Sequence, residues 1–224
     1  MGGLRVREGR PLLAVPVRRL AGVLLACSAF LVVLLGVLFA HQTHADSVDR
    51  TLDAPVIAWF AGHPGLAARL ASPGSLVPAT VLTAALAVAS LLAGRLNGAL
   101  LALAVPVSVG LAEGLLKPLF DRTSLGSLAY PSGHATAMFA VASATAVLLL
   151  ASEQPREAKG LRIALPAAMC LLGCTVSGAV IGLRWHYLTD TVAGAAVGLG
   201  TVCGLALLLD RPIVRSWLAG RTRA

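Results

Sequence analysis

The sequence predicts an all-α, polytopic membrane protein with six transmembrane helices and a short interfacial helical segment between the first and the second. Two observations are compositional: hydrophobic residues make up 57% of the 224 residues, and charged residues only 12%. Soluble domains carry about 25% charged residues. The third observation is a series of apolar runs of about twenty residues, the length that spans a bilayer. A soluble helical bundle would need polar helix faces, which these runs lack.

The six predicted spans cover residues 20–40, 76–93, 99–116, 135–151, 163–183 and 191–209. The first run follows several arginines and resembles a signal peptide. We expect it to be retained, because a signal sequence has an apolar region of only about 7–15 residues. The more polar segment 41–75 contains two short amphipathic pieces, and Trp59 in one of them suits a membrane interface.

One membrane domain, residues 20–209, is therefore flanked by basic tails at 1–19 and 210–224. With both tails in the cytoplasm, the inner side holds thirteen of the 18 Lys and Arg residues, as the positive-inside rule favours. We accordingly expect a multi-pass protein of the cell membrane with both termini cytoplasmic. The five outer positive residues run against the general bias and suggest an outward-facing site; they are Arg50, Arg69, Lys117, Arg122 and Arg184.

Two polar clusters lie around the start of the fourth span. Lys117 and Arg122 could grip phosphate oxygens, the arginine with two parallel hydrogen bonds, or could simply extend towards water at a span end. Glu113, one turn before Lys117, is expected to pair with it. The stretch Ser132-Gly133-His134 offers a hydroxyl, backbone N–H groups at a helix N-terminus and a titratable imidazole. A plain helix cap is the alternative interpretation of His134.

A third cluster precedes the sixth span. His186 and Asp190 are four residues apart, so they share a face if this stretch is helical. Asp190 could accept the Nδ1–H of His186 and leave Nε2 free as a nucleophile. Zinc binding by two histidines and an aspartate is an alternative. The nearby Lys117, Arg122 and Arg184 would repel a cation and attract an anion, so we expect no metal.

Together the clusters resemble the type 2 phosphatidic acid phosphatase family, whose pattern is K-x6-R-P, then P-S-G-H, then S-R-x5-H-x3-D. The sequence 131–134 matches the second motif in full, and His186-x3-Asp190 matches the end of the third. The resemblance covers about residues 46–209. Both arginines of the pattern are displaced: Arg122 lies two residues early, and Arg184 lies four residues after Val180, which occupies the family's position.

The resemblance implies a membrane phosphatase that needs no metal or other cofactor. His186 would attack phosphorus and form a phosphohistidine, His134 would protonate the leaving oxygen and then help to activate water, and Asp190 would orient His186. The phosphoryl oxygens would be held by Lys117, Ser132 and the Gly133 N–H, with Arg122 and Arg184 as substitutes for the displaced arginines.

The expected substrate is a lipid phosphate or diphosphate of the polyprenyl diphosphate, polyprenyl-phosphosugar phosphate or phosphatidate type. The expected partners are this substrate and membrane lipids, with no nucleic acid; the sequence predicts no oligomeric state. A membrane transporter that uses the same basic residues only to bind a lipid or anion is the alternative. Transporters tend to place charges near the midplane of broken helices, whereas these charges cluster at one interface.

Overall fold

The structure is a computed structural model that describes residues 11–150 and 159–221. Its helices are α1 (Val15–Phe39), α2 (Ser47–Ala61), α3 (Pro64–Ala71), α4 (Leu76–Leu92), α5 (Leu96–Ala102), α6 (Ala104–Leu111), α7 (Lys117–Phe120), α8 (Gly133–Leu150), α9 (Lys159–Gly182), α10 (Leu188–Leu209) and α11 (Pro212–Arg221). A 3-10 turn covers Ser72–Gly74, a π-helical turn covers Ala112–Leu116, and strands β1 (Thr123–Ser124) and β2 (Ser127–Leu128) form a hairpin.

Within the described residues, six helical segments are long and apolar enough to cross a membrane: Val15–Phe39, Pro64–Leu92, Leu96–Phe120, Gly133–Leu150, Gly160–Gly182 and Leu188–Leu209. The predicted all-α fold with six spans is therefore confirmed. Helix α2 lies between the first two spans, where the short helical segment was expected. Helix α3 continues through the 3-10 turn towards α4, so the second candidate span begins earlier than predicted.

The first helix begins earlier than the predicted span 20–40. Helix α1 begins at Val15, with Pro16 in its first turn, where the missing proline N–H costs no hydrogen bond. Leu12 and Leu13 are buried, and their N–H groups donate to the Asp210 carboxylate at 2.7 and 2.8 Å. Leu12 and Leu13 thus pack at the end of α10. Residues 1–10, about half of the predicted tail, lie outside the described residues. So do residue 151 at the end of the predicted fourth span, residues 152–158 of the predicted loop 152–162, and residues 222–224 of the C-terminal tail.

The third span is broken twice before it reaches the site. Pro106 has no N–H to donate to the carbonyl of Ala102, and α5 ends at that residue before α6 begins. The π-helical turn then inserts a wider turn just ahead of Lys117. These irregularities set the position of Glu113 and Lys117 at the end of the span.

Helices α8 and α10 are the most deeply buried spans, and they pack very closely. A Cβ at Gly198 would lie only 2.6 Å from the Thr136 carbonyl oxygen, and one at Gly194 would overlap the Ser132 carbonyl oxygen. Small residues of this kind let membrane helices approach each other, since packing rather than the hydrophobic effect drives their association. This approach brings the start of α8 beside the start of α10.

The loop between α7 and α8 is held by the hairpin. Thr123 pairs with Leu128 and Ser124 with Ser127, and the two turn residues, Leu125 and Gly126, both have positive φ. A two-residue turn of this kind matches the twist of antiparallel strands. The hairpin places Arg122 directly before its first strand and Ala129 directly after its second.

Candidate active site

His186 lies in the short connection between α9 and α10 and is 6% exposed. Its Nδ1 is 2.8 Å from the carbonyl oxygen of Ala129. Burial is the largest cause that lowers the pKa of His186 to about 3, with smaller contributions from the charge of Lys117 and from the His134 ring. The ring is therefore neutral near pH 7. Because a carbonyl oxygen only accepts, the proton must be on Nδ1, and Nε2 carries the free lone pair.

His134 is the second residue of α8, and its ring faces the same region. The centroid of its ring is 6.3 Å from that of His186 and 5.8 Å from that of Trp185. The structure thus brings together the two histidines that are 52 positions apart in the sequence. Their separation leaves room for a group between or beside the rings, and their assigned roles stay predictions.

Lys117 and Glu113 form an ion pair at this end of the bundle, with Nζ and Oε2 2.8 Å apart. The predicted pairing is therefore confirmed. The Lys117 side chain is only 12% exposed, whereas that of Glu113 is 45% exposed. The Glu113 carboxylate also lies against Gly133, where a Cβ would overlap its Oε1. An anionic group thus already lies beside the N-terminus of α8, where the helix dipole favours negative charge.

Ser132 caps α8 and ties it to α10. Its Oγ accepts from the Ala135 N–H at 3.4 Å, and its own N–H donates to the Asp190 carbonyl oxygen at 2.9 Å. The residue is fully buried. Ser132 and Gly133 therefore lie next to His134, because the three residues are consecutive in the chain. Their contact with phosphate stays a prediction.

Asp190 does not orient His186 in the way the sequence suggested. Its Oδ2 is 3.9 Å from His186 Nδ1, too far for a hydrogen bond, and accepts instead from the Tyr187 N–H at 2.8 Å. The acceptor for Nδ1–H is the Ala129 carbonyl, as described above. Asp190 is therefore a helix-capping residue that lies near the His186 ring without a hydrogen bond to it.

The assignment of Arg122 to phosphate binding conflicts with its position. Its side chain is fully buried, and Nη1 and Nη2 lie 2.7 and 2.6 Å from carboxylate oxygens of Asp190 and Asp49. Nη1 also donates to Thr189 Oγ1 at 2.6 Å. A guanidinium held by two carboxylates behind the site cannot present its edge to a substrate. Arg122 is therefore removed from the set of phosphate ligands.

Arg184 is exposed at the end of α9, with a positive φ of 58°. Ser124 Oγ donates to its carbonyl oxygen at 2.7 Å, which fixes the backbone and leaves the guanidinium without an ion pair among the described residues. Val180, at the family's arginine position, is fully buried against Phe60 and Ala67. Phosphate binding by Arg184 stays a prediction.

The sequence analysis missed Asp49 and Asp53. Both lie on α2, are buried, and hold the first turn of α10. Their spacing of four residues, which places two carboxylates on one face of a short amphipathic helix, is the signal that could have revealed them. The role of the Ala129 carbonyl had no sequence signal, because every residue carries such a group.

An apolar cavity of about 570 Å³ opens beside the site. Helices α4 and α6 supply most of its wall, including Leu76, Val105 and Val109, while Glu113 and His134 form its polar end. The cavity is therefore mainly apolar and reaches His134.

The fold and this site define a polytopic membrane protein with two histidines and a lysine at one end of its helix bundle. The family model of the PAP2 superfamily matches residues 78–212, more than half of the chain, so the chain belongs to the PAP2 superfamily. The match confirms the family resemblance and supports a phosphatase-type function. The comparisons with curated proteins and with solved structures found no match.

Proposed function

We propose that this protein hydrolyses a lipid phosphate or lipid diphosphate through a phosphohistidine intermediate. The observation that carries the proposal is the state of His186: a buried, neutral ring whose Nδ1–H is held by the Ala129 carbonyl, which leaves Nε2 as the free nucleophilic nitrogen. The second histidine lies nearby, with its ring centroid 6.3 Å from that of His186.

In the first step Nε2 of His186 attacks phosphorus, the bond from phosphorus to the leaving oxygen breaks, and His134 gives that oxygen a proton. In the second step His134 takes a proton from water, whose oxygen attacks phosphorus. The bond between Nε2 and phosphorus then breaks, and inorganic phosphate leaves. Each histidine returns to its starting state, so no further reactant is needed.

Lys117, Ser132 and the Gly133 N–H supply the positive charge and hydrogen bonds that such a phosphoryl group requires, and Arg184 is proposed to join them. Glu113 partly neutralises Lys117. A bound phosphate would compete with that carboxylate for the lysine and for the N-terminus of α8. The site residues themselves provide these contacts, so we propose a reaction that does not depend on added metal.

The apolar cavity supports a lipid substrate, because its polar end coincides with Glu113 and His134 while its wall is formed by membrane-spanning helices. Polyprenyl diphosphates, polyprenyl-phosphosugar phosphates and phosphatidate-type lipids all combine a long apolar chain with a phosphoryl head. The distribution of Lys and Arg residues supports a site facing outward at the level of the outer leaflet, with both termini in the cytoplasm.

Release of inorganic phosphate by the purified protein, measured over a panel of these lipids with and without EDTA, tests the proposal. We expect turnover in EDTA, inhibition by vanadate, and no turnover or acid-labile phosphoenzyme in His186→Ala. His134→Ala should slow turnover least for substrates with good leaving groups, since general acid catalysis matters less there.

Transport or binding of the lipid without phosphate release would favour the transporter alternative. Covalent phosphate trapped on a His186→Ala protein would show that the nucleophile is another residue. Activity lost on chelation and restored by zinc or magnesium would contradict the metal-free scheme.

A further inference from the structure

A buried polar cluster lies behind the histidines and joins three parts of the chain. It consists of Asp49 on α2, Arg122 before the hairpin, and Thr189 and Asp190 at the start of α10; we call it the α2 clamp. Arg122 bridges the two aspartates, as described above, and Asp49 Oδ2 also accepts from Thr189 Oγ1 at 2.8 Å. Asp49, Arg122 and Asp190 have no exposed surface.

Helix α2 also supplies hydrogen-bond acceptors to the first N–H groups of α10. The Thr189 N–H donates to Asp49 Oδ1 at 3.1 Å, and the Leu188 N–H donates to Asp53 Oδ1 at 3.2 Å. The first N–H groups of a helix have no partner within the helix, so carboxylates from another element fix its start in place. His186 lies only two residues before that start.

Arg122 holds both groups that surround Nδ1 of His186. Its side chain binds Asp190 Oδ1, while the other oxygen of that carboxylate lies 3.9 Å from Nδ1. Its backbone carbonyl accepts from the Ala129 N–H at 2.8 Å, and Ala129 in turn provides the oxygen that binds Nδ1. The rings of Phe39 and Tyr187 lie against the guanidinium, with centroids 4.6 and 4.4 Å from Cζ. Movement of Arg122 would therefore alter both neighbours of Nδ1.

We infer that Asp49 is a positioning residue for His186, acting through Arg122 and Asp190, so that α2 forms part of the machinery that orients the nucleophile. The inference rests on the proposed function. Asp49 carries this role because it balances the buried guanidinium, and removing one partner of a buried ion pair leaves an uncompensated charge that disturbs its neighbours. A cluster of two carboxylates and one guanidinium also favours the positive charge that develops on the ring as Nε2 attacks.

The first measurement compares kcat and KM for wild type and Asp49→Asn, which keeps an oxygen for the Thr189 N–H but loses the charge. We expect kcat to fall about tenfold or more and KM to change less than about threefold, because the nucleophile rather than the phosphate contacts is affected. Asp121→Asn, at an exposed loop carboxylate, is the matched control and should retain wild-type values. A kcat of Asp49→Asn within about twofold of wild type would overturn the inference.

A double-mutant cycle separates positioning from a general loss of stability. If Asp49 acts through Asp190, Asp49→Asn should reduce kcat much less in an Asp190→Asn background than in wild type. If the two residues only contributed to stability independently, the fold losses in kcat of the two single variants would multiply in the double variant. Equal fold losses in both backgrounds would therefore contradict the inference.

Amide hydrogen exchange provides a readout that needs no substrate. Asp49→Ala should accelerate exchange in the peptide that contains residues 186–190, and Asp121→Asn should not. Unchanged exchange in Asp49→Ala would overturn the inference even if wild type showed no phosphatase activity, whereas inactive wild type with accelerated exchange would contradict the proposed function alone.

Discussion

At the scale of single residues, the arrangement of His134 and His186 depends on residues that lie outside the sequence motifs. The backbone carbonyl of Ala129 fixes the tautomer of His186, and close helix packing around Gly194 and Gly198 brings His134 beside it. The motifs therefore supply the two histidine rings, whereas the orientation of these rings depends on residues outside the motifs.

Glu113 should control how strongly the site binds anions. Glu113→Gln keeps the shape of the side chain and removes the charge that neutralises Lys117. We expect the inhibition constant for vanadate to fall about fivefold, because a free ammonium group attracts the anion more strongly by about 1 kcal/mol in a partly exposed site. Steady-state inhibition measurements with Asp121→Asn as control test this, and weaker inhibition in Glu113→Gln would contradict it.

Arg184 is the remaining arginine proposed to bind phosphate. If it does, Arg184→Ala should reduce kcat/KM by about 10²–10³, as removal of an oxyanion donor does, and Arg184→Lys should recover only part because lysine lacks the planar fork. Arg69→Ala is the matched control, because Arg69 is also exposed and is also predicted to lie on the outer side. Activity of Arg184→Ala within a few-fold of wild type would show that Arg184 merely extends into solvent at the interface.

At the scale of elements, α2 has a larger role than an amphipathic helix resting on a membrane surface. Its Asp49 and Asp53 face the start of α10, while Trp59 on the same helix is 61% exposed. One short helix thus combines an apolar exposed surface with a polar contact to the segment that carries His186.

Asp53 should make stability depend on pH. Burial, followed by repulsion from Asp49, raises its pKa from 3.8 to about 7. The folded protein therefore keeps a proton that the unfolded chain has already released above about pH 4, so the contribution of this group to the free energy of unfolding falls as pH rises to about 7. Asp53→Asn keeps an acceptor for Leu188 N–H and removes this dependence.

Thermal unfolding in detergent at about pH 5 and about pH 8 tests the role of Asp53. The unfolding temperature of Asp53→Asn minus that of wild type should be larger at the higher pH than at the lower pH. Asp121→Asn serves as the control, because it removes the charge of an exposed carboxylate. If the unfolding temperatures of Asp53→Asn and wild type differed by the same amount at both pH values, the raised pKa of Asp53 would be contradicted.

At the scale of the whole molecule, the candidate site lies at one end of a bundle of six spans within the described residues. The segment before α1 and the end of α10 are in contact at Asp210. The Asp210 carboxylate accepts from Leu12 and Leu13, and the nearest Arg18 nitrogen lies 3.5 Å from it. The orientation of this bundle in the membrane is predicted by charge alone.

Both termini should therefore report a cytoplasmic location. A reporter fused after Arg223 and a cysteine introduced in the loop 152–162 should be shielded from membrane-impermeant reagents in intact cells, because most Lys and Arg residues lie on that side. A cysteine at the exposed Ser127 of the hairpin should be labelled from outside. Labelling of the 152–162 loop in intact cells would reverse the predicted orientation.

The sequence by itself determined the number of spans, the helical class and the family, because apolar length and fixed motif spacing are local properties of the chain. It also predicted the Glu113–Lys117 pair, which depends only on helical periodicity. The start of α1 was missed, since burial of Leu12 and Leu13 depends on a distant carboxylate at Asp210.

Only the tertiary structure decided how the charged residues are used. Arg122 looked like a phosphate ligand because it stands near Lys117 in the chain, yet two aspartates from α2 and α10 hold it behind the site. Likewise, the partner of His186 Nδ1 is a backbone carbonyl rather than Asp190. Residues separated by tens of positions meet only when the helices pack, and burial then requires each charge to find a partner, so the role of each charge depends on contacts that sequence spacing does not encode.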